Sequence, residues 1–181
     1  MASGNSMCLR VARAEDVPAL EELIPISVRA LQAAYYSKEQ MDAAIGPIFG
    51  VDQQLIADGT YFIVEDAGEV IGCGGWSKRK SLCGSGPAGE STATELSSVH
   101  DAARVRAFFV HPNWARRGVG SLIMKACESA IRAAGFRRVE ILATLAGEPL
   151  YASFGYVVAD RYELKLSNGL ALPVVSMAKK F

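Results

Sequence analysis

Val105-Arg106-Ala107-Phe108-Phe109-Val110-His111-Pro112-Asn113-Trp114-Ala115-Arg116-Arg117-Gly118-Val119-Gly120-Ser121 decides how this chain is read. An apolar strand stops at a proline, and a short basic loop with two glycines then opens a long helix. The first turn of a helix presents unpaired backbone N–H groups and the positive end of the helix dipole. The glycines carry no side chain to block an approaching anion, so phosphate oxygens can reach those N–H groups closely. The stretch therefore reads as a cradle for a diphosphate.

Working outward, the helix after the cradle spans residues 118–134. Val119, Leu122, Ile123, Ala126, Cys127, Ala130 and Ala134 recur at helical spacing on one face. Ser121, Lys125, Glu128 and Arg132 occupy the other, and Gly135 follows as a C-terminal stop. Strand, helix and a second strand at 137–144 make a crossover unit, which requires parallel pairing of its two strands.

The remaining segments supply antiparallel elements. A first strand is expected at 8–14, then a helix opening at Glu15-Asp16 with Pro18 in its first turn. Pro25 is expected to kink or break that helix, leaving a second stretch at 27–36. Short helices at 38–45 and 51–57 would complete a helical arm. Residues 60–65 and 69–78 read as a hairpin around Asp66-Ala67-Gly68. Gly72, Gly74 and Gly75 in its second strand signal a bulge or close backbone approach. A short helix at 148–154 and a closing hairpin, 156–166 with 170–177 around Ser167-Asn168-Gly169, end the chain. The hairpin edge is able to pair with a second subunit, which would give a homodimer. The fold class is α/β (α+β), one domain over 8–181, with a mixed central sheet and helices packed on it. Residues 1–7 read as a polar, frayed start, and 79–100, rich in Ser, Gly, Thr and Ala, as a mobile loop.

Composition narrows the function. The chain has 181 residues, enough for one sizeable core, and no apolar run of membrane-spanning length. Its start lacks an apolar signal-peptide core. Cys8, Cys73, Cys83 and Cys127 form no Cys-x-x-Cys pair, so no metal site is expected, and scattered cysteines fit a reducing cytoplasm. Net charge is zero but uneven. Residues 102–139 hold eight bases and one acid, a net +7, and the remainder eleven bases and eighteen acids, a net −7. A basic segment around a phosphate-type loop suits an anionic cofactor, and the acidic remainder suits a small cationic acceptor. A neutral chain of this kind lacks the broad basic footprint of nucleic-acid binding.

Gly-x-Gly alone is ambiguous between a ligand cradle and a bare basic turn. A dinucleotide fingerprint would need a third glycine where Ile123 stands, and a nucleoside-triphosphate loop would need Gly-Lys-Ser/Thr. Four pieces together say more: Phe108-Phe109-Val110-His111-Pro112, Arg116-Arg117-Gly118-Val119-Gly120-Ser121, Gly135-Phe136, and Leu150-Tyr151-Ala152-Ser153-Phe154-Gly155-Tyr156. Over 104–156 this resembles the GNAT superfamily of N-acetyltransferases.

The resemblance implies a central strand that bulges and splays from its parallel neighbour. The freed backbone around Phe108, Phe109 and Val110 would pair with the pantetheine arm of acetyl-CoA. The N–H groups of Arg116, Arg117, Gly118, Val119, Gly120 and Ser121 would hold the pyrophosphate. Family members often have Gln or Arg where this chain has Ala115. Tyr151 matches a tyrosine near the cofactor sulfur, with the implied role of general acid toward the departing thiolate. The general base stays open among Glu65, Glu95, His100 and His111, each equally readable as a structural or solvated group. Trp76, Tyr35 and Tyr36 read as core that could also line an acceptor pocket. Two functions follow: direct acetyl transfer from acetyl-CoA to a small amine, or a non-catalytic acyl-CoA sensor or docking module.

Overall fold

The structure, a computed structural model, describes residues 7–79 and 95–181. Strand β1 (Cys8–Val11) is followed by a 3-10 turn at Ala14–Asp16 and helix α1 (Val17–Leu31). Helices α2 (Lys38–Ala44) and α3 (Gln53–Ala57) precede the hairpin β2 (Tyr61–Asp66) and β3 (Glu69–Ser77). Strand β4 (Ala103–Val110), helix α4 (Val119–Ala133) and strand β5 (Arg138–Thr144) form the crossover unit. Helix α5 (Glu148–Ser153) and the hairpin β6 (Val157–Lys165) and β7 (Ala171–Lys180) close the chain. All seven strands form one sheet in the order β1-β2-β3-β4-β5-β7-β6. β4 and β5 run parallel and the other pairs antiparallel.

Two apolar layers cover the sheet. On one face α4 and α5 pack through Val119, Ile123, Met124, Cys127, Ile131 and Tyr151. On the other, α1 to α3 pack through Leu20, Leu23, Ile24, Val28, Met41 and Leu55. The buried face of α4 is rotated from the sequence expectation. Met124 and Ile131 are inside, whereas Ala134 is exposed beyond the last turn. A methionine or isoleucine buries more apolar area than alanine, so the larger side chains take the core.

Of the kink or break expected at Pro25, helix α1 rules out the break. It runs unbroken to Leu31, merging the two stretches, with Pro25 in its interior. A proline there removes one N–H to a carbonyl four residues back. That carbonyl belongs to Glu21, an exposed residue, so water can take the lost partner's place. The buried stripe Leu20, Leu23, Ile24, Ser27, Val28 continues across the proline and holds the helix together. β1 also ends earlier than expected, at Val11, because the next residues enter the 3-10 turn. No helix among the described residues is long and apolar enough to cross a membrane. The loop expected at 79–100 lies largely outside the described residues, as does Cys83. Its ends are tied by a bridge between Arg79 and Glu95.

The features that position the site sit in β4. Its pairing with β3 matches Cys73 to Phe109 and Gly75 to Arg106, so Ala107 and Phe108 together face Gly74. That is a bulge: two residues on one strand against one on its neighbour. Ala107 takes a left-handed φ of 59° there, a conformation costing on the order of 1–3 kcal/mol for a residue with a side chain. The buried Tyr61 hydroxyl donates to the Ala107 carbonyl at 3.0 Å and helps fix it. Gly74 is required by the same feature, because a Cβ there would stand 2.5 Å from the Phe108 ring. Gly72 permits a close approach too, with Val119 Cγ1 2.4 Å from where its Cβ would be. β4 and β5 pair only over Ala103–Val139, Arg104–Glu140 and Val105–Ile141. Beyond the bulge they part, while β5 stays paired to β7 as far as Thr144.

Candidate active site

The parting of β4 and β5 opens a cleft of about 840 Å³ through the sheet. Toward the α4 face it is lined by Arg116, Gly118–Ser121, Leu150 and Tyr151. Toward the α1 face it is lined by Leu31, Gln32, Tyr35, Ile48 and Phe49. The bulged strand, Arg106–Val110, contributes to the wall between them.

Each part has a local cause. Pro112–Trp114 form a 3-10 turn after β4, with His111 Nδ1 accepting from the Asn113 N–H at 3.3 Å. Arg116 adopts φ 63° and Gly118 φ 90°, and Gly118 is the N-cap of α4. These left-handed positions turn the chain sharply, and only glycine adopts them without strain. The first N–H groups of α4 therefore point at the cleft end with no intrahelical acceptor. Gly120 has a second duty, since a Cβ there would stand 3.0 Å from Leu150 Cδ2. Its missing side chain lets α5 approach α4. Arg117 is outside the lining. It stacks over Trp114 at 5.3 Å, and its N–H donates to the Trp114 carbonyl.

On β4 the His111 N–H donates to the Ile71 carbonyl. Strand alternation then turns the Val110 N–H away from β3, toward the gap. Ser27 Oγ on α1 accepts it at 3.1 Å. Phe108 and Val110 line the cleft. Phe109 also borders it but is buried, with its ring edge-on to Phe49 at 6.2 Å.

The matching residues and this geometry agree with one family. Its model, the acetyltransferase (GNAT) domain, matches residues 57–158. The chain belongs to the GNAT acetyltransferase family. No curated protein sequence matches it. Among solved structures, a GCN5-related N-acetyltransferase from Rhodopseudomonas palustris is 22% identical, with TM-score 0.71, covering 97% of this chain and 96% of that one. The PaiA N-acetyltransferase from Thermoplasma acidophilum, in complex with coenzyme A, is 14% identical with TM-score 0.68, covering 97% and 99%. YncA from Salmonella typhimurium, a structure with acetyl-CoA, is 17% identical with TM-score 0.63, covering 97% and 94%. At these identities the likeness is one of fold.

In this acetyltransferase Tyr151 is 6% exposed and borders the cleft. Its ring packs edge-on against Phe108 at 5.9 Å and Tyr156 at 6.3 Å. Burial pushes its phenol pKa well above 10, because a phenolate in an apolar setting loses hydration. The phenol is thus protonated across the physiological range.

The acetyltransferase brings none of the four candidate bases to the cleft. Glu65, on β2 and two strands from β4, is paired with Arg10 at 2.6 Å. Glu95 pairs with Lys78 at 3.0 Å. The His100 carbonyl accepts from Arg138 near the other end of β4, and the His111 ring is used by its own turn. Tyr35 lines the cleft, half exposed. Tyr36 is core, donating to the Pro173 carbonyl at 2.7 Å and accepting from the Leu145 N–H at 3.0 Å. Trp76 is core beside Phe136.

Sequence reasoning missed the acidic element of this acetyltransferase's cleft. Asp52, which caps α3 by accepting from the Leu55 N–H, also pairs with Arg106 Nε at 2.7 Å. The two side chains are only 2% and 9% exposed. Asp52 is the one carboxylate lining the cleft among the described residues. The partners lie 54 positions apart, and the only local signal was an N-cap aspartate before a short helix. Among the described residues no group of three His, Cys, Asp or Glu gathers as a metal site would.

Proposed function

We propose that this acetyltransferase binds acetyl-CoA along the cleft and passes the acetyl group directly to the primary amine of a small acceptor. The diphosphate would sit at the free N–H groups from Gly118 to Ser121, with the side chains of Arg116 and Arg117 adding positive charge at the rim. The pantetheine arm would run between the parted strands beside Phe108, Phe109 and Val110. The observation that carries this reading is the gap itself. β4–β5 pairing stops after Val105–Ile141, and one continuous cleft then joins the glycine-opened helix to Tyr151.

The chemistry follows from the groups present. The acceptor nitrogen attacks the thioester carbonyl carbon, the C–S bond breaks, and the electron pair leaves on sulfur. Tyr151 gives its phenolic proton to that sulfur, and the proton shed by the new ammonium returns through water to the phenolate. General acid help of this kind is worth about 10²–10⁴-fold. Holding both reactants in one cleft supplies much of the remaining rate. With Asp52 already engaged by Arg106, the acceptor enters as its neutral amine.

Titration calorimetry with acetyl-CoA, followed by thiol release on adding an amine, tests this reading. Saturable binding and amine-dependent thiol release are expected. Folded protein that takes up no acetyl-CoA would overturn it, and binding with no turnover for any amine would make the protein a sensor instead.

A further inference from the structure

The acceptor half of the cleft has a definite chemical character. Its walls toward the α1 face are Leu31, Tyr35, Ile48, Phe49, Leu164 and Val174. They are contributed by α1, the turn after it, the segment before α3, and the β6–β7 hairpin. Its one carboxylate among the described residues, Asp52, is already paired with Arg106 at 2.7 Å. A polycation needs several unpaired acceptors or carboxylates to replace its hydration, and this wall offers none of the latter. The −7 balance outside residues 102–139 is a property of the chain, and Asp16, Glu65, Asp42, Asp58, Glu128 and Glu148 are engaged in ion pairs.

Gln32 adds a second, independent observation. It lines the same half, is 7% exposed, and its Oε1 is buried without a hydrogen-bond partner among the described residues. A buried acceptor left without a partner is costly, so a ligand donor that meets it is favoured. Gln32 is the C-cap of α1, five residues beyond Ser27. Ser27 marks the splayed strand through its bond to Val110. Gln32 lines the α1 side of the cleft with Leu31 and Tyr35, where the body of the acceptor would lie.

Resting on the acetyl-CoA reading above, we infer that the acceptor is an apolar, ring-sized primary amine whose body carries one hydrogen-bond donor received by Gln32. Its amine faces the parted strands, its ring packs between Tyr35 and Phe49, and its donor meets Gln32 Oε1. A cleft of about 840 Å³ shared with the pantetheine arm leaves room for one small molecule of this kind.

The experiment uses the full chain, saturating acetyl-CoA and thiol release with five amines: butylamine, hexylamine, 2-phenylethylamine, tyramine and spermidine. kcat/KM is expected to rise about fourfold per buried methylene from butylamine to hexylamine. Tyramine, with a ring hydroxyl, is expected to lead and to exceed spermidine at least tenfold. Gln32→Leu should lower the tyramine to 2-phenylethylamine ratio of kcat/KM about tenfold or more, a change that general destabilisation would not produce. Spermidine leading the panel overturns the inference. So does a protein that binds acetyl-CoA but acetylates none of the five, with the cofactor reading left standing, or an unchanged ratio in folded Gln32→Leu. Failure to bind acetyl-CoA removes the cofactor reading, and this inference with it.

Discussion

Replacing Gly74 by alanine tests the bulge that opens the cleft. The new Cβ would stand 2.5, 2.6 and 2.8 Å from three carbons of the Phe108 ring. Ordinary carbon–carbon contact needs about 3.5 Å, so the ring must retreat by about 1 Å. Phe108 is not free to do so quietly, since its ring also packs edge-on against Tyr151 at 5.9 Å, and its backbone is the bulge. Overpacking of this kind costs about 1–3 kcal/mol of stability. A displacement of about 1 Å at the reacting groups can cost about a hundredfold in rate. Gly74→Ala is therefore expected to lose about a hundredfold in kcat with amine and acetyl-CoA, while the thermal midpoint falls by a few degrees. Phe108→Ala in the same chain removes the clash, and the two changes should be strongly non-additive. Steady-state thiol release and a melting curve read both effects. Gly74→Ala with wild-type kcat and an unshifted midpoint would refute the reasoning.

Three further outcomes are expected. Tyr151→Phe keeps both ring contacts but removes the proton donor, so kcat should fall about 10²–10⁴-fold while calorimetry shows acetyl-CoA affinity little changed; unaltered kcat would remove Tyr151 from the chemistry. Asp52→Asn removes the carboxylate paired with buried Arg106 at 2.7 Å, and breaking a buried pair in this way should cost up to about 3–5 kcal/mol and lower the melting temperature by up to roughly 6–20 °C; a shift under about 2 °C would show the pair to be dispensable. Burial raises the phenol pKa of Tyr36, Tyr61, Tyr151 and Tyr156. Their folded forms thus hold protons that the unfolded chain releases above about pH 10. The stabilisation they give is full below that pH and is lost as pH climbs from there toward the higher folded values. Denaturant midpoints that stay flat from pH 9 to 11.5 would contradict this.

The crossover unit was legible because its signals are local. Apolar spacing in 119–134, bounded by Gly118 and Gly135, marks a helix whatever surrounds it, and both glycines indeed sit at positive φ. The two hairpins were equally open, since Ala67-Gly68 and Gly169 are turn positions. Pro25 misled because its cost depends on which carbonyl loses a partner, and the solvent exposure of Glu21 is a tertiary fact. The rotation of α4 toward Met124 and Ile131 likewise depends on what the sheet presents. Within the cleft, the glycine-opened helix and Tyr151 lie in contiguous motifs. The Asp52–Arg106 pair, the Ser27–Val110 bond and the placement of Gln32 join segments far apart in sequence, and periodicity carries no record of them. The four candidate bases rested on residue type and place in the chain, and the folded chain keeps all of them out of the cleft lining.

The cleft crosses the sheet, with exposed Arg116 at one end and half-exposed Tyr35 at the other. On the proposed reading, with acetyl-CoA entering at the Arg116 end and the acceptor at the Tyr35 end, the two come and go without blocking each other. Neither reactant must wait for the other's departure, so occupancy by both at once is the natural resting point of the working cycle. Double-reciprocal plots should then intersect, and spent coenzyme should leave by the entrance it used.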